Sequence, residues 1–213
     1  LMRRWLSAVS LTILMLIVVA CGKGDVARFD PLPSDAVVLV IGDSLVAGTG
    51  ARPHEAWPER LAEATGWRVI NAGVPGDTSA DARRRLPELL DIHAPQAVII
   101  AVGGNDFLQN LPPDDTRANL NAMVSRARSV TQHVALVAIP AKTTGALLLG
   151  NLADHALYAE LAGEEKLTLI RDAVSDVLSD ADLRADRIHA NANGYARMAL
   201  GVEDALRAHG WML

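Results

Sequence analysis

Short apolar runs punctuate the chain, and between them the spacing of apolar positions changes. Val37-Val38-Leu39-Val40-Ile41 is unbroken and rich in β-branched residues, the pattern of a strand buried on both faces. Similar runs recur from Arg68 to Asn71, Ala97 to Val102, Val134 to Ile139 and Leu167 to Ile170. The stretches between them show helical spacing. From Thr78 to His93, Thr78 and Ser79 can cap, Asp81 sits in the first turn, and Leu86, Leu89 and Leu90 form an apolar stripe. Further helices are predicted from Asp115 to Val130, Ala156 to Glu165 and Asn193 to His209, the last ended by Gly210. Strands alternating with helices predict a doubly wound α/β fold: a three-layer α/β/α sandwich around a central five-stranded parallel sheet with right-handed crossovers. In such folds the ligand crevice lies at the carboxyl ends of the strands.

The amino terminus breaks this pattern. Arg3 and Arg4 precede an apolar run, Leu11 to Ala20, which ends in Val18-Val19-Ala20-Cys21 and gives way to Gly22-Lys23-Gly24-Asp25. This is a basic region, an apolar region and a small-residue cleavage site. The run is short for a membrane span, which needs about 20 apolar residues. A cysteine directly after a small residue resembles the bacterial lipobox, and that resemblance implies a diacylglycerol-modified Cys21 at the new amino terminus. Several acyl chains on one residue anchor stably where one chain binds marginally. The expected organisation is a signal peptide over 1–20, a lipid-anchored linker over 21–35 with Gly22, Gly24, Pro31 and Pro33, and one folded domain over 36–213. An uncleaved anchor would leave the domain on the same side, facing the extracytoplasmic cell envelope or periplasm. Cys21 is the sole cysteine, so no internal disulfide and no cysteine cage for a metal can form.

Composition narrows the function classes. A chain of 213 residues suits one core plus an appendage. A net charge of −5 and 4% aromatic residues argue against nucleic acid as a partner, since phosphate backbones demand basic patches and bases demand stacking platforms. Gly48-Thr49-Gly50 and Gly22-Lys23-Gly24 lack the third glycine or the Gly-Lys-Ser/Thr ending of nucleotide loops, so no nucleotide cofactor is implied. His54, His93, His133, His155 and His209 lack metal-ligand spacing and are expected at surfaces or helix caps, with no metal.

Candidate chemistry gathers at the ends of the apolar runs. Gly42-Asp43-Ser44-Leu45 follows the first run, so Ser44 enters a turn at a strand's carboxyl end. There it can present its hydroxyl to the crevice and its N–H to an incoming oxyanion, although taken alone it could equally cap a helix. Val46 replaces the second glycine of the Gly-x-Ser-x-Gly elbow, which excludes that serine scaffold. Two residues beyond the second run, Gly73-Val74-Pro75-Gly76-Asp77-Thr78 predicts a turn whose Gly76 exposes its N–H without a Cβ in the way. Gly103-Gly104-Asn105-Asp106 follows the third run, and the Asn105 amide is an uncharged donor suited to an oxyanion. Asp43 and Asp106 are expected to make loop hydrogen bonds. Near the carboxyl terminus, Asp186-Arg187-Ile188-His189 puts a carboxylate and an imidazole on one turn, where the first can set the tautomer of the second.

Gly42-Asp43-Ser44-Leu45, the Gly76 turn, Gly103-Gly104-Asn105-Asp106 and Asp186-x-x-His189, in this order, resemble the four blocks of the GDSL or SGNH hydrolases. Asn71-Ala72 and Gly76-Asp77-Thr78-Ser79 make the chain most like the bacterial thioesterase I, lysophospholipase and arylesterase branch. The likeness covers roughly residues 37–205. It implies a flavodoxin-like sheet and a cofactor-free serine hydrolase that cleaves acyl esters or thioesters. Ser44 would be the nucleophile, His189 the base and acid, and Asp186 the orienting carboxylate. The oxyanion hole would be built from Ser44, Gly76 and Asn105. Two departures stand out: Ala190 replaces the proline usual after the histidine, and residues 141–185, which shape the acyl and leaving-group pockets in relatives, match poorly. Other readings are an O-acetylesterase or acyltransferase acting on envelope glycans, and a non-enzymatic lipoprotein that keeps the fold as a binding module. Leu147-Leu148-Leu149, with Leu108 and Leu111, could line an acyl groove or simply pack.

Overall fold

The structure, a computed structural model, describes residues 29–141 and 151–213. Five parallel strands form one sheet in the order β2-β1-β3-β4-β5: β1 (Val37–Gly42), β2 (Arg68–Gly73), β3 (Ala97–Ala101), β4 (His133–Val137) and β5 (Thr168–Ile170). The connecting helices are α1 (Ser44–Ala47), α2 (Trp57–Thr65), α3 (Ser79–His93), α4 (Gly104–Leu108), α5 (Pro113–Arg128), α6 (Ala156–Glu165), α7 (Ser175–Ser179) and α8 (Ala192–Ala208). The chain passes from β1 to β2 in one direction and from β2 onward in the other. Right-handed crossovers therefore put α2 on one face and α3, α5 and α6 on the opposite face. Helix α8 returns to pack on α2, which completes the three layers.

Continuous apolar runs became central strands for a simple reason: both faces of β1 and β3 are covered by helices. Val38 to Ile41 and Ala97 to Ile100 are fully buried. The order reverses between β1 and β3, so these neighbours flank the switch point at which open α/β sheets bind ligands. Helix α3 starts with a full capping box: the Thr78 hydroxyl accepts from the Asp81 N–H, and the Asp81 carboxylate accepts from the Thr78 N–H.

The expected elements all form, with shifted ends. β2 continues to Gly73, because Ala72 and Gly73 stay paired with Ile41 and Gly42, so the Gly73 expected in the turn is in the strand. β4 ends at Val137 although Ala138 and Ile139 are buried, since β5 offers partners to only three of its residues. Helix α2 was not legible, because its amino terminus carries Ala56 with no capping side chain. Leu147, Leu148 and Leu149, the signal peptide and Cys21 lie outside the described residues.

Candidate active site

The carboxyl ends of β1, β2 and β3 carry the first three predicted segments. Asp43 caps α1 by accepting from the Leu45 N–H at 3.0 Å, which makes Ser44 the first helical residue rather than the cap. Asp43 is buried, and burial pushes its carboxyl up from 3.8 to about 6, against the lowering effect of that hydrogen bond.

Gly76 adopts φ +89° and is exposed; no atom lies where its Cβ would stand. Glycine is demanded there by the left-handed backbone rather than by crowding. Among the described residues, neither the Gly76 N–H nor the Ser44 N–H has an acceptor, which leaves both free to face a ligand. Asn105 donates through Nδ2 to the Asp77 carbonyl at 2.8 Å, so this amide sits beside the Gly76-Asp77 turn and keeps its second N–H hydrogen unused in that bond. Gly103, before it, has φ +130°, and a Cβ there would strike the Tyr158 hydroxyl.

These loops are tied from below. Asp106 accepts from the Ser79 N–H at 2.8 Å, from the Ser79 hydroxyl at 2.5 Å and from the Thr116 hydroxyl at 3.1 Å, while Asn119 donates to Ser79 Oγ at 2.9 Å. This network joins α3, α4 and α5 in the interior, and it is the hydrogen-bonding role expected of Asp106. Arg85 of α3 donates to Asp77 at 2.8 Å and to the carbonyls of Gly42 and Ala72 at 3.3 and 3.1 Å. It thus links the Gly76 turn to the ends of β1 and β2. Nothing in the Arg83-Arg84-Arg85 run singled it out, because its role depends on where the two strands end. Asn71, matched to the second block by resemblance, holds Val46 O and Glu59 instead of facing the crevice.

The fourth segment arrives from the other end of the chain. His189 Nε2 lies 3.0 Å from Ser44 Oγ, and its Nδ1 lies 2.7 Å from Asp186 Oδ2. Asp186 Oδ1 also accepts the N–H groups of Ile188 and His189, both at 2.8 Å. Slight burial would raise the Asp186 carboxyl, but the His189 ring and these N–H groups hold it below the usual carboxylate range. The turn needs no proline after His189. Ala185 N–H to His189 O at 3.0 Å and Asn191 N–H to Leu183 O at 2.9 Å clamp it, and Ala190 is fully buried. An imidazole with one nitrogen on a carboxylate and the other on a hydroxyl can remove that hydroxyl's proton.

A groove opens at Ser44 and Asn105, and its walls include Leu108, Ile139, Leu152 and Leu178. Leu108 is thus a lining residue, whereas Leu111 is exposed. Gly76 lies outside the groove walls, reached through Asp77 and Asn105. Of the other histidines, His155 caps α6 by accepting from the Leu157 N–H, and His209 bonds the Ala205 carbonyl at the end of α8. Both are capping roles of the kind expected.

A doubly wound sheet with a serine, histidine and carboxylate in sequence at its switch point defines a serine-hydrolase architecture. Residues 40–197 match the GDSL-like lipase/acylhydrolase family. The chain is 33% identical to the esterase TesA of Pseudomonas aeruginosa over 177 residues, 80% of this chain and 87% of that protein. It is 32% identical to the thioesterase 1/protease 1/lysophospholipase L1 of Escherichia coli K12, over 72% of this chain and 75% of that protein. It is also 29% identical to an arylesterase of Vibrio mimicus, over 81% of this chain and 88% of that one. The crystal structure of TesA superimposes with a TM-score of 0.73 at 29% identity, covering 81% of this chain and 99% of that one. The chain belongs to the GDSL-like lipase/acylhydrolase family, and it is a carboxylic ester hydrolase.

Proposed function

We propose that Ser44 is the nucleophile of acyl transfer to water. His189 takes the Ser44 proton as the hydroxyl attacks an ester or thioester carbonyl, and Asp186 holds the imidazole in the productive tautomer. The oxyanion is received by the Ser44 and Gly76 N–H groups and the Asn105 amide. His189 then protonates the leaving alcohol or thiol, and water releases the acyl group from Ser44 by the same steps in reverse. The observation that carries this reading is the unbroken chain from Asp186 through His189 to Ser44, with contacts of 2.7 and 3.0 Å at the mouth of an apolar groove. The leucine and isoleucine walls favour acyl chains longer than the acetyl group of a glycan ester. The names of the thioesterase/lysophospholipase and arylesterase relatives support the same substrate range. The test is hydrolysis of p-nitrophenyl esters from acetyl to palmitoyl by the full chain in detergent; a Ser44→Ala protein that still turns them over would refute the assignment.

The proposal extends to the amino terminus, where Cys21 carries the lipid that tethers the domain on the extracytoplasmic side. Its support is the order of basic, apolar and small residues before Cys21. Residues 29–32 show where the linker meets the domain. Phe29 and Leu32 donate to the carbonyls of His209 and Trp211, and Asp30 O bonds His133 at the start of β4, so the linker joins the domain at the edge opposite the crevice. A tether there leaves the groove facing away from the membrane. Labelled palmitate should enter the wild-type chain in bacteria and not Cys21→Ala; equal labelling of both would refute the anchor.

A further inference from the structure

The His189 turn is ordered by its own backbone bonds, yet those bonds do not set how far it stands from Ser44. A third segment lies between them: Gly48-Thr49-Gly50, directly after the nucleophile's helix α1. Ser44 O accepts the N–H groups of Gly48 and Thr49 at 3.1 and 3.0 Å, so the segment starts from the backbone of Ser44 itself. Thr49 O then accepts the hydroxyl of Tyr195 at 2.7 Å. Tyr195 is fully buried in the first turn of α8, where its N–H donates to Asn191 O at 2.9 Å. Asn191 in turn donates its N–H to Leu183 O, which closes the His189 turn. A circuit of hydrogen bonds thus runs from Ser44 through Thr49, Tyr195 and Asn191 to the turn, and it is completed where His189 Nε2 meets Ser44 Oγ at 3.0 Å.

Gly50 lays the same segment against the turn. It adopts φ +100°, and a Cβ there would stand 2.5 Å from Ala190 O, 2.8 Å from Ala185 Cβ and 3.3 Å from His189 Cβ. The left-handed backbone and the close approach both require glycine. The chain beyond is tied to α8 too: Arg60 donates to Glu55 O at 3.0 Å and to Ala192 O at 3.4 Å. A base takes a proton only within hydrogen-bond reach, and a misplacement of about 1 Å can cost about 10²-fold in rate.

We propose that Tyr195 and Gly50 are positioning residues: by seating the Gly48-Thr49-Gly50 segment against α8 and the His189 turn, they hold His189 at reacting distance from Ser44. Both act through Ser44 and His189 rather than on the substrate. The assignment rests on the reading of those two residues as nucleophile and base.

The experiment measures hydrolysis of p-nitrophenyl butyrate by the full chain in detergent. Tyr195→Phe removes the hydroxyl and keeps the ring; it should lower kcat about tenfold, and Gly50→Ala should lower it about 10²-fold, with circular dichroism unchanged. KM should stay within about twofold of wild type in both, the split expected when geometry rather than binding is lost. In a His189→Ala background, Tyr195→Phe should change the residual rate by less than about twofold, because the partner it positions is gone. General damage to the fold would instead lower that rate by the same factor as in wild type. An unchanged kcat in either folded variant, a change confined to KM, or an equal loss in the His189→Ala background overturns the proposal and leaves the hydrolytic reading standing. Tyr195→Phe decides alone if Gly50→Ala does not fold. A His189→Ala protein as active as wild type refutes the reading of His189 as base, and this assignment with it.

Discussion

The two halves of the active site are held in opposite ways. The half carrying Ser44, Gly76 and Asn105 grows out of strand ends, and its support is buried or half-buried: Asp106 binds α3 to α4 and α5, while Arg85 ties the Gly76 turn to the ends of β1 and β2. The half carrying Asp186 and His189 is a surface turn, with the Asp186 side chain 56% exposed and that of His189 15% exposed. Its order comes from short-range backbone bonds within residues 183–191. The difference matches the tasks proposed for the two halves. Donors to an oxyanion work by being fixed before charge develops, in a site that excludes water. A base must move a proton from Ser44 to a leaving group, and its carboxylate partner can remain in solvent while it orients the ring.

The largest expected effect breaks the contact between the halves. His189→Ala should lower kcat/KM by about 10⁴-fold or more, while circular dichroism and melting stay close to wild type because the turn is closed by backbone bonds. A loss of only a few-fold would remove His189 from the mechanism. Next comes the rigid half. Asn105→Ala should cost about 10²–10³-fold in kcat with a smaller change in KM, the signature of a donor used in the transition state. An effect confined to KM would show that Asn105 binds substrate and does not stabilise the oxyanion.

Asp43 sharpens the comparison through pH. Its carboxyl titrates near 6 in the fold and near 3.8 when unfolded, because burial disfavours the charge. A raised folded value means that the contribution to stability is full below pH 3.8 and is lost as pH rises through 6, by about 3 kcal/mol. Asp43→Asn keeps a side-chain cap for Leu45 and removes the titration. Relative to this variant, wild type should therefore lose about 3 kcal/mol of unfolding free energy between pH 4 and pH 7, measured by urea denaturation. Parallel curves would show that Asp43 does not titrate in this range. The smallest effect is expected at Arg85. Arg85→Gln should lose about 1–3 kcal/mol of stability and roughly tenfold in kcat, since the Gly76 turn keeps its other bonds. Unchanged kcat would mean that the turn is fixed without Arg85.

Much of this was legible in the chain. Runs such as Val37 to Ile41 and Ala97 to Val102 specify strands buried on both faces, and their alternation with helical spacing specifies the doubly wound sheet. The positions of Ser44, Gly76, Asn105, Asp186 and His189 could be read because each follows a strand or shares one turn, where local spacing determines which way a group can face. Short elements such as α4 and α7 escaped, since five residues are too few to display a period.

The sequence by itself determined the strands, their alternation with helices and the residue types at their carboxyl ends, because patterning and turn chemistry act within a few neighbouring positions. Tertiary structure alone decided that His189 meets Ser44 across 145 positions, that Arg85 and Asp106 brace the loops of Gly76 and Asn105, and that Arg187 lines the groove. Those contacts depend on where separate strands end and how far helices slide over the sheet, and no local spacing encodes either.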